Sequence, residues 1–346
     1  MHSSDVIIDG HEDIAFNSLI LHRDFLLSAH ENRVKVDDSK NGSPTVGLPD
    51  LVKGNVRVVF GTIWVPPCLP GVEKPCYRTP TEAYDMAIQQ LNYYKALASQ
   101  EHVRLILTRR DLESALANQG HIGIVLLMEG ADPVLSPENL HEWYAQGLRI
   151  LAPSWMGTRY AGGTHMPGPL TDAGRELMRE LEKSRLILDT SHMSDESFFE
   201  ALDLFRGTVI ASHSNCRALV PTDRQLSDDM IRALISRNGV IGAVFYNAFL
   251  VNGWTEAGRV KSQVRLDHVV QHIRHICDIA GDALHVAIGS DLDGGFGVES
   301  TPAEIDTVAD LRRLPFALSN NGFSDDDVGR IMRGNWMRIL ETALPT

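Results

Sequence analysis

The chain has 346 residues, a length that fits either two domains or one large barrel. Its 45 acidic against 32 basic residues leave a formal net charge of −13, so neither nucleic acid nor an anionic membrane surface is expected as a partner. With 43% hydrophobic and 22% charged residues the composition is globular, which excludes a disordered or fibrous chain.

The opening MHSSDVIIDG lacks the basic and apolar regions of a secretory leader, so the cytoplasm is the expected compartment. Within it, Val6–Asp9 is a predicted strand; Leu21–Lys53 follows as an irregular or helical insertion. Short β-branched runs then alternate with segments of helical period. The further predicted strands are Arg57–Val65, Ile122–Met128, Leu148–Ala152, Leu186–Asp189, Val209–Ala211, Val240–Phe245 and His285–Gly289, which makes eight with the first. Between and after them, helices are predicted over Thr81–Ala98, Pro137–Gln146, Asp172–Lys183, Ser194–Leu204, Ser227–Arg237, Val264–Ile279, Pro302–Leu318 and Ser324–Ala343. Ser194, Ser227 and Ser324 stand where N-caps belong. Val103–Thr108 is a ninth apolar run that this scheme does not place.

Eight strands with crossover helices predict an α/β fold, a (β/α)8 TIM-type barrel. It forms a single domain over 1–346, with 21–53 as an insertion and 302–346 as closing helices. An open doubly wound sheet would carry a glycine-rich phosphate loop after its first strand, where this chain has His11-Glu12-Asp13. The longest uncharged stretch, Asn238–Thr255, is 18 residues long but holds three Asn and three Gly, so no membrane span is expected. Cys68, Cys76, Cys216 and Cys277 show no CxxC spacing, and neither a disulfide framework nor a thiolate metal site is indicated.

Functional groups of a barrel lie at the carboxyl ends of its strands. There the sequence places His11 and Asp13, whose i, i+2 spacing projects them to one side. Ile122–Met128 ends abruptly in Glu129, a carboxylate at the lip of a buried strand. His192, His213, Asp291 and Asp293 follow three further strands. Taken singly, each has an ordinary explanation: a hydrogen-bonded turn, a salt bridge to a buried arginine, a loop histidine, a helix-capping aspartate. Together they are the imidazole and carboxylate set that binds Zn²⁺ or a similar ion, and five ligands exceed what one zinc uses. Two ions are therefore expected, Glu129 bridging one on His11 and Asp13 and one on His192 and His213. A bridging hydroxide would be the nucleophile of a hydrolase, and Asp291 its proton carrier.

Three other features are set aside. His268, His272 and His275 read as a solvated helix face, the GGFG at 294–297 as a loop, and Cys216 as packing behind the site.

The segments DGHEDIAFN (9–17), LLMEGADP (126–133), LILDTSHMS (186–194), VIASHS (209–214), VFYN (244–247) and IGSDLDGG (288–295) resemble the membrane dipeptidase family of zinc metallopeptidases. The likeness extends through LPDLVKGNVRVVFGTIWVPP (48–67) to GNWMRIL (334–340). It implies a distorted barrel with a dinuclear zinc centre that cleaves dipeptides, often with a D-residue at the carboxyl end. By matching motif it implies the same five ligands, Asp291 as proton carrier, Arg224 on the substrate carboxylate and Tyr246 in the pocket. One position departs from the family: where a histidine commonly contacts the scissile carbonyl, LAPSWMGTRY carries Trp155. The indole of Trp155, Arg159 or His165 are the candidates to replace that donor. The resulting expectation is a dipeptidase acting on a small dipeptide-like substrate, with a homodimer expected from the habits of barrel enzymes. An amidohydrolase of another amide, lactone or ester, and a catalytically weak small-molecule-binding barrel, are the alternatives.

Overall fold

The computed structural model describes residues 6–36, 41–69, 75–118, 120–258 and 260–346. The first five residues, on which the leader argument partly rests, lie outside them, as do 37–40 of the predicted insertion. The strands are β1 (Ile7–Glu12), β2 (Val56–Trp64), β3 (Val103–Leu105), β4 (Ile122–Glu129), β5 (Leu148–Ala152), β6 (Ala161–Gly163), β7 (Met166–Leu170), β8 (Ile187–Asp189), β9 (Val209–Ala211), β10 (Val240–Ala243) and β11 (Val286–Ile288). Eight of them close a parallel ring in the order β2-β1-β11-β10-β9-β8-β5-β4, sealed by β4 against β2 from Val58↔Gly123 to Trp64↔Glu129. This is the predicted (β/α)8 barrel, and its ring strands are the eight read from the sequence.

The unplaced ninth run is explained by register. β3 pairs with Ile122–Ile124 of β4, whereas β5 begins pairing only at Leu126. The two share one edge of β4 in succession, so β3 satisfies backbone groups that β5 starts too late to reach. The hairpin β6–β7 was not foreseen; its MPGPL strand is too rich in Gly and Pro to read as β.

Alternation along the strands divides the core in two. Ile8, Val58, Phe60, Val125, Leu127, Ile150, Ile187, Ile210 and Ala287 form one buried cluster, joined by Trp336 of the closing helix. Their neighbours, among them Ile7, Val59, Leu126, Leu151 and Val209, belong to a larger cluster that includes the surrounding helices. The Trp336 indole donates to the Ile288 carbonyl at 2.7 Å. Gly242 and Gly289 sit so near the Ser212 carbonyl that a Cβ on either would lie 1.9 Å from it. Only glycine permits that approach, and it seats Ser212 beneath the carboxyl-end rim.

Helix bounds follow the predictions to within two residues over Pro80–Leu97, Asp172–Lys183, Asp195–Leu204, Asp228–Ser236 and Leu266–Ala280. Three readings are corrected. Residues 302–307 are not helical, and helix begins as a 3₁₀ segment at Val308 capped by Thr307. Ser324–Ala343 is interrupted by a π-turn at Arg330–Gly334. Ser194 stands at an N-cap but spends its hydroxyl on the Gly168 carbonyl, whereas Ser227 and Ser324 cap as expected. The insertion contains the helices Ala29–Lys35 and Leu48–Gly54.

Cys68 and Cys76, whose spacing indicates no disulfide framework, nevertheless form a disulfide. Reciprocal backbone bonds, Cys68 N–H to the Tyr77 carbonyl and Tyr77 N–H to the Pro66 carbonyl, bring the two Cα atoms to 4.9 Å. An eight-residue spacing carries no signature of such a pairing. Among the described residues no helix is long and apolar enough to cross a membrane.

Candidate metal centre

β1 carries a bulge: three steps from Asp9 to Glu12 oppose two from Val59 to Gly61. The strand ends there, and Asp13 stands at the N-cap position of the following helix without its side chain bonding the helix amides. His11 and Asp13 nevertheless converge, Nε2 to Oδ1 at 3.8 Å, though through the bulge and cap rather than by plain strand alternation. His11 Nε2 also lies 3.9 Å from Glu129 Oε2. The other Glu129 oxygen, Oε1, is 3.1 Å from His192 Nε2 and 3.3 Å from His213 Nε2, and those two nitrogens are 3.0 Å apart. One carboxylate therefore faces two pairs of side chains, one with each oxygen.

Burial pushes the imidazoles toward the neutral form, His11 down to about 3 and His192 and His213 well below the usual range, with Arg224 acting in the same direction. Neutral rings have one lone pair each, and hydrogen bonds fix which nitrogen bears it. Asp189 accepts from the Ser191 and Ser212 amides at 3.0 and 2.8 Å and from the Ser212 hydroxyl at 2.5 Å. Because Ser212 donates to the carboxylate, its oxygen receives Nδ1–H of His213, 2.8 Å away. Nε2 of His213 is left as an acceptor facing Glu129. For His192, Nδ1 meets the Thr164 hydroxyl at 3.1 Å, which turns Nε2 toward Glu129 Oε1. Three electron-pair donors thus crowd together while Glu129 Oε1, fully buried, has no hydrogen-bond partner. Such a cradle fits a metal cation. Asp13 is steadied by the Thr62 hydroxyl. Asp189, Ser212, Thr164 and Thr62 escaped the sequence reading because polar residues near strand ends look alike until their partners are known.

Asp291 lies 3.8 Å from His11 Nε2 and, with His11 and His213, forms a third potential ligand group, so its carboxylate faces the space between the two pairs. Burial and the Asp13 carboxylate hold its acid form well above the usual range, against the pull of Arg224. A Cβ at position 294 would lie 1.9 Å from Asp291 Oδ1, which explains the glycine there. Asp293 is not at the centre. It accepts from the Thr45 amide and hydroxyl, both at 2.7 Å, and from the Val46 amide at 3.1 Å, anchoring the insertion to the barrel. Glu12 is a further buried acid; burial and the neighbouring Asp9 carboxylate raise it well above the ordinary range.

The centre opens into a cavity of about 450 Å³. Arg224 lies in its wall, 5% exposed, with its guanidinium bonded to the His213 carbonyl at 2.7 Å and the Ser214 hydroxyl at 3.1 Å. Its Nε has no partner, leaving a buried donor for an anion. Tyr246, Trp155 and His165 also line the cavity. His165 is at the mouth, its amide bonded to Asp223 at 2.9 Å. Arg159 is outside the cavity lining, held by Asp132 and the Val134 carbonyl. The helix-face histidines need correction: His272 is fully buried and accepts the Cys216 amide at 3.1 Å, which places Cys216 in the core as expected. A second cavity, of about 400 Å³, lies at the opposite end of the barrel and holds none of the candidate residues.

A parallel barrel whose carboxyl rim gathers three histidines and three carboxylates, Glu129 central among them, defines a metal-dependent hydrolase class. The profile of the membrane dipeptidase family, peptidase family M19, matches residues 1–344, and the chain belongs to that family. An uncharacterized Klebsiella pneumoniae protein of the pqqA 5′ region is 32% identical over 76% of this chain and 97% of its own length. A crystal structure of a dipeptidase of metallopeptidase family M19 superposes with a TM-score of 0.80 at 26% identity, covering 99% of this chain and 100% of that one. A metallopeptidase from Rhodobacter sphaeroides, liganded with a phosphinate mimic of the dipeptide L-Ala-D-Ala, gives the same score at 25% identity over 98% and 99% of the two chains.

Proposed function

We propose that the protein is a dinuclear zinc dipeptidase that accepts a D-residue at the carboxyl end. The observation that carries this reading is Glu129, with one oxygen toward His11 and Asp13 and the other toward His192 and His213. His11, Asp13 and Glu129 would hold one ion and Glu129, His192 and His213 the other. When bound, such a pair supplies Lewis-acid polarisation of the scissile carbonyl and a water acidic enough to attack near neutral pH. Arg224 binds the free carboxylate of the substrate, the charge-assisted contact for which its unpaired Nε is suited. Tyr246 and Trp155 flank the substrate. Asp291 takes a proton from the attacking water as the C–O bond forms and then delivers it to the leaving nitrogen as the C–N bond breaks, so an acid and an amine are released. The phosphinate dipeptide mimic bound by the Rhodobacter sphaeroides relative supports the substrate class and its stereochemistry.

Metal analysis with turnover assays on L,L and L,D dipeptides tests the reading. Two zinc ions per chain are expected, and Asp291→Asn lowers kcat by about 10²–10⁴-fold while both ions remain. A folded chain without stoichiometric metal overturns it. Full activity in Arg224→Ala would point instead to an amide, lactone or ester lacking a free carboxylate. The disulfide favours an oxidising compartment over the cytoplasm. A symmetric dimer is the expected assembly, to be checked by light scattering.

A further inference from the structure

The ring order places β2 and β9 four strands apart in either direction, on opposite sides of the barrel. Arg224 comes from the loop after β9, and its guanidinium carbon lies 5.3 Å from the ring centre of Phe249, which follows β10. Tyr246 contacts that phenyl at 4.9 Å, so the carboxylate-binding side has its own aromatic group. Across the cavity stands a second one, built from three separate strand ends. Trp64 closes β2, Phe16 follows β1 and Trp155 follows β5. Their rings meet edge to face, Phe16 on Trp64 at 4.6 Å and Trp64 on Trp155 at 5.0 Å, and Trp155 reaches to 6.2 Å from the His192 ring. The three are only partly buried and line the cavity beside the ligands.

A dipeptide with its carboxylate on Arg224 and its scissile bond over Glu129 must direct its N-terminal residue toward this second wall. Among the described residues, the carboxylates lining the cavity are those of the centre itself and Asp223 on the Arg224 side. The Phe16–Trp64–Trp155 wall therefore offers apolar surface rather than charge. We infer that this wall is the recognition surface for the N-terminal side chain, and that the preferred substrates are dipeptides beginning with a large apolar residue, aromatic or branched. The inference rests on the dipeptidase reading and adds to it the substrate class and the role of Trp155.

The wild-type, zinc-loaded enzyme is assayed on Phe-Ala, Leu-Ala and Gly-Ala. Burying a phenyl group against such a wall is expected to raise kcat/KM for Phe-Ala about 30–100-fold over Gly-Ala. A ratio below about 3 overturns the inference. In Trp155→Leu, and separately in Trp64→Leu should the first fail to fold, the Phe-Ala to Gly-Ala ratio is expected to fall about tenfold; an unchanged ratio in a folded variant removes these residues from recognition. Calorimetric binding of Phe-Ala and Gly-Ala to zinc-loaded Asp291→Asn separates the two levels of argument. If no dipeptide is hydrolysed by the wild type but Phe-Ala binds at least tenfold tighter than Gly-Ala, the wall stands and the dipeptidase reading falls. Hydrolysis of all three at similar rates, with equal binding, leaves the dipeptidase and removes the wall.

Discussion

A histidine presents a lone pair on Nε2 in only one of its neutral tautomers, and for His213 that choice is made by the Ser212 hydroxyl on Nδ1. That hydroxyl donates to Asp189 and so must accept from Nδ1, which aims the free lone pair of Nε2 at Glu129. Ser212→Ala removes that orientation without touching a ligand. Loss of such an outer contact typically weakens metal binding by about 10–100-fold, measurable by competition with a chromophoric chelator, and should be accompanied by little change in folding. The five residues that converge here were legible in the sequence because each is a polar group at, or just past, the end of an apolar strand run. Asp293 shows the limit of that signal. It has the same position and chemistry as Asp291, yet three hydrogen bonds from Thr45 and Val46 commit it to structure, and only the fold reveals partners 247 and 248 residues distant.

Among the elements, the helix Asp195–Leu204 begins beside an ion pair in which Arg217 grips Asp195 with two nitrogens, at 2.8 and 2.6 Å. The Arg217 hydrogen bond holds the Asp195 carboxyl below its usual range. A depressed pKa stabilises the fold above the unfolded value of about 3.9 and loses that contribution as pH falls through the folded value. Asp195→Asn should therefore lower the thermal midpoint at pH 6–7, and the gap to wild type should close below about pH 4. The Cys68–Cys76 bridge acts on the unfolded chain. Closing so short a loop is worth about 2–3 kcal/mol, so reduction should lower the denaturation midpoint measurably. Helix and strand positions were legible from periodicity and caps, but this bridge was not, because the pairing of Pro66 to Tyr77 is set by backbone contacts rather than cysteine spacing. The hairpin β6–β7 was hidden for a related reason: its register is held by contacts such as Gly168 with Ser194 rather than by strand-forming residues.

At the scale of the whole molecule, the barrel brings together carboxylates that repel one another. Burial raises Asp13, Glu129 and Asp291, and neighbouring carboxylates add to it, Asp293 on Asp13, Asp13 and Asp291 on Glu129, and Asp13 on Asp291, so gathering them at the rim is unfavourable. Metal binding relieves it. At free zinc about 1,000 times the dissociation constant, linkage adds about 4 kcal/mol, enough to shift the unfolding midpoint by several degrees. Calorimetry of chelated against zinc-reconstituted protein should show that rise, and equal midpoints would remove the ions from the stability of the fold.

The turn after β11 carries two aspartates with separate duties, Asp291 toward the metal centre and Asp293 holding Thr45 and Val46. Asn41, a few residues upstream of that attachment, borders the cavity mouth. The edge of the cavity at Asn41 and the Asp291 carboxylate are thus both tied to one short turn. Loosening the Asp293 bonds would therefore reach both the edge of the cavity at Asn41 and the turn that holds Asp291.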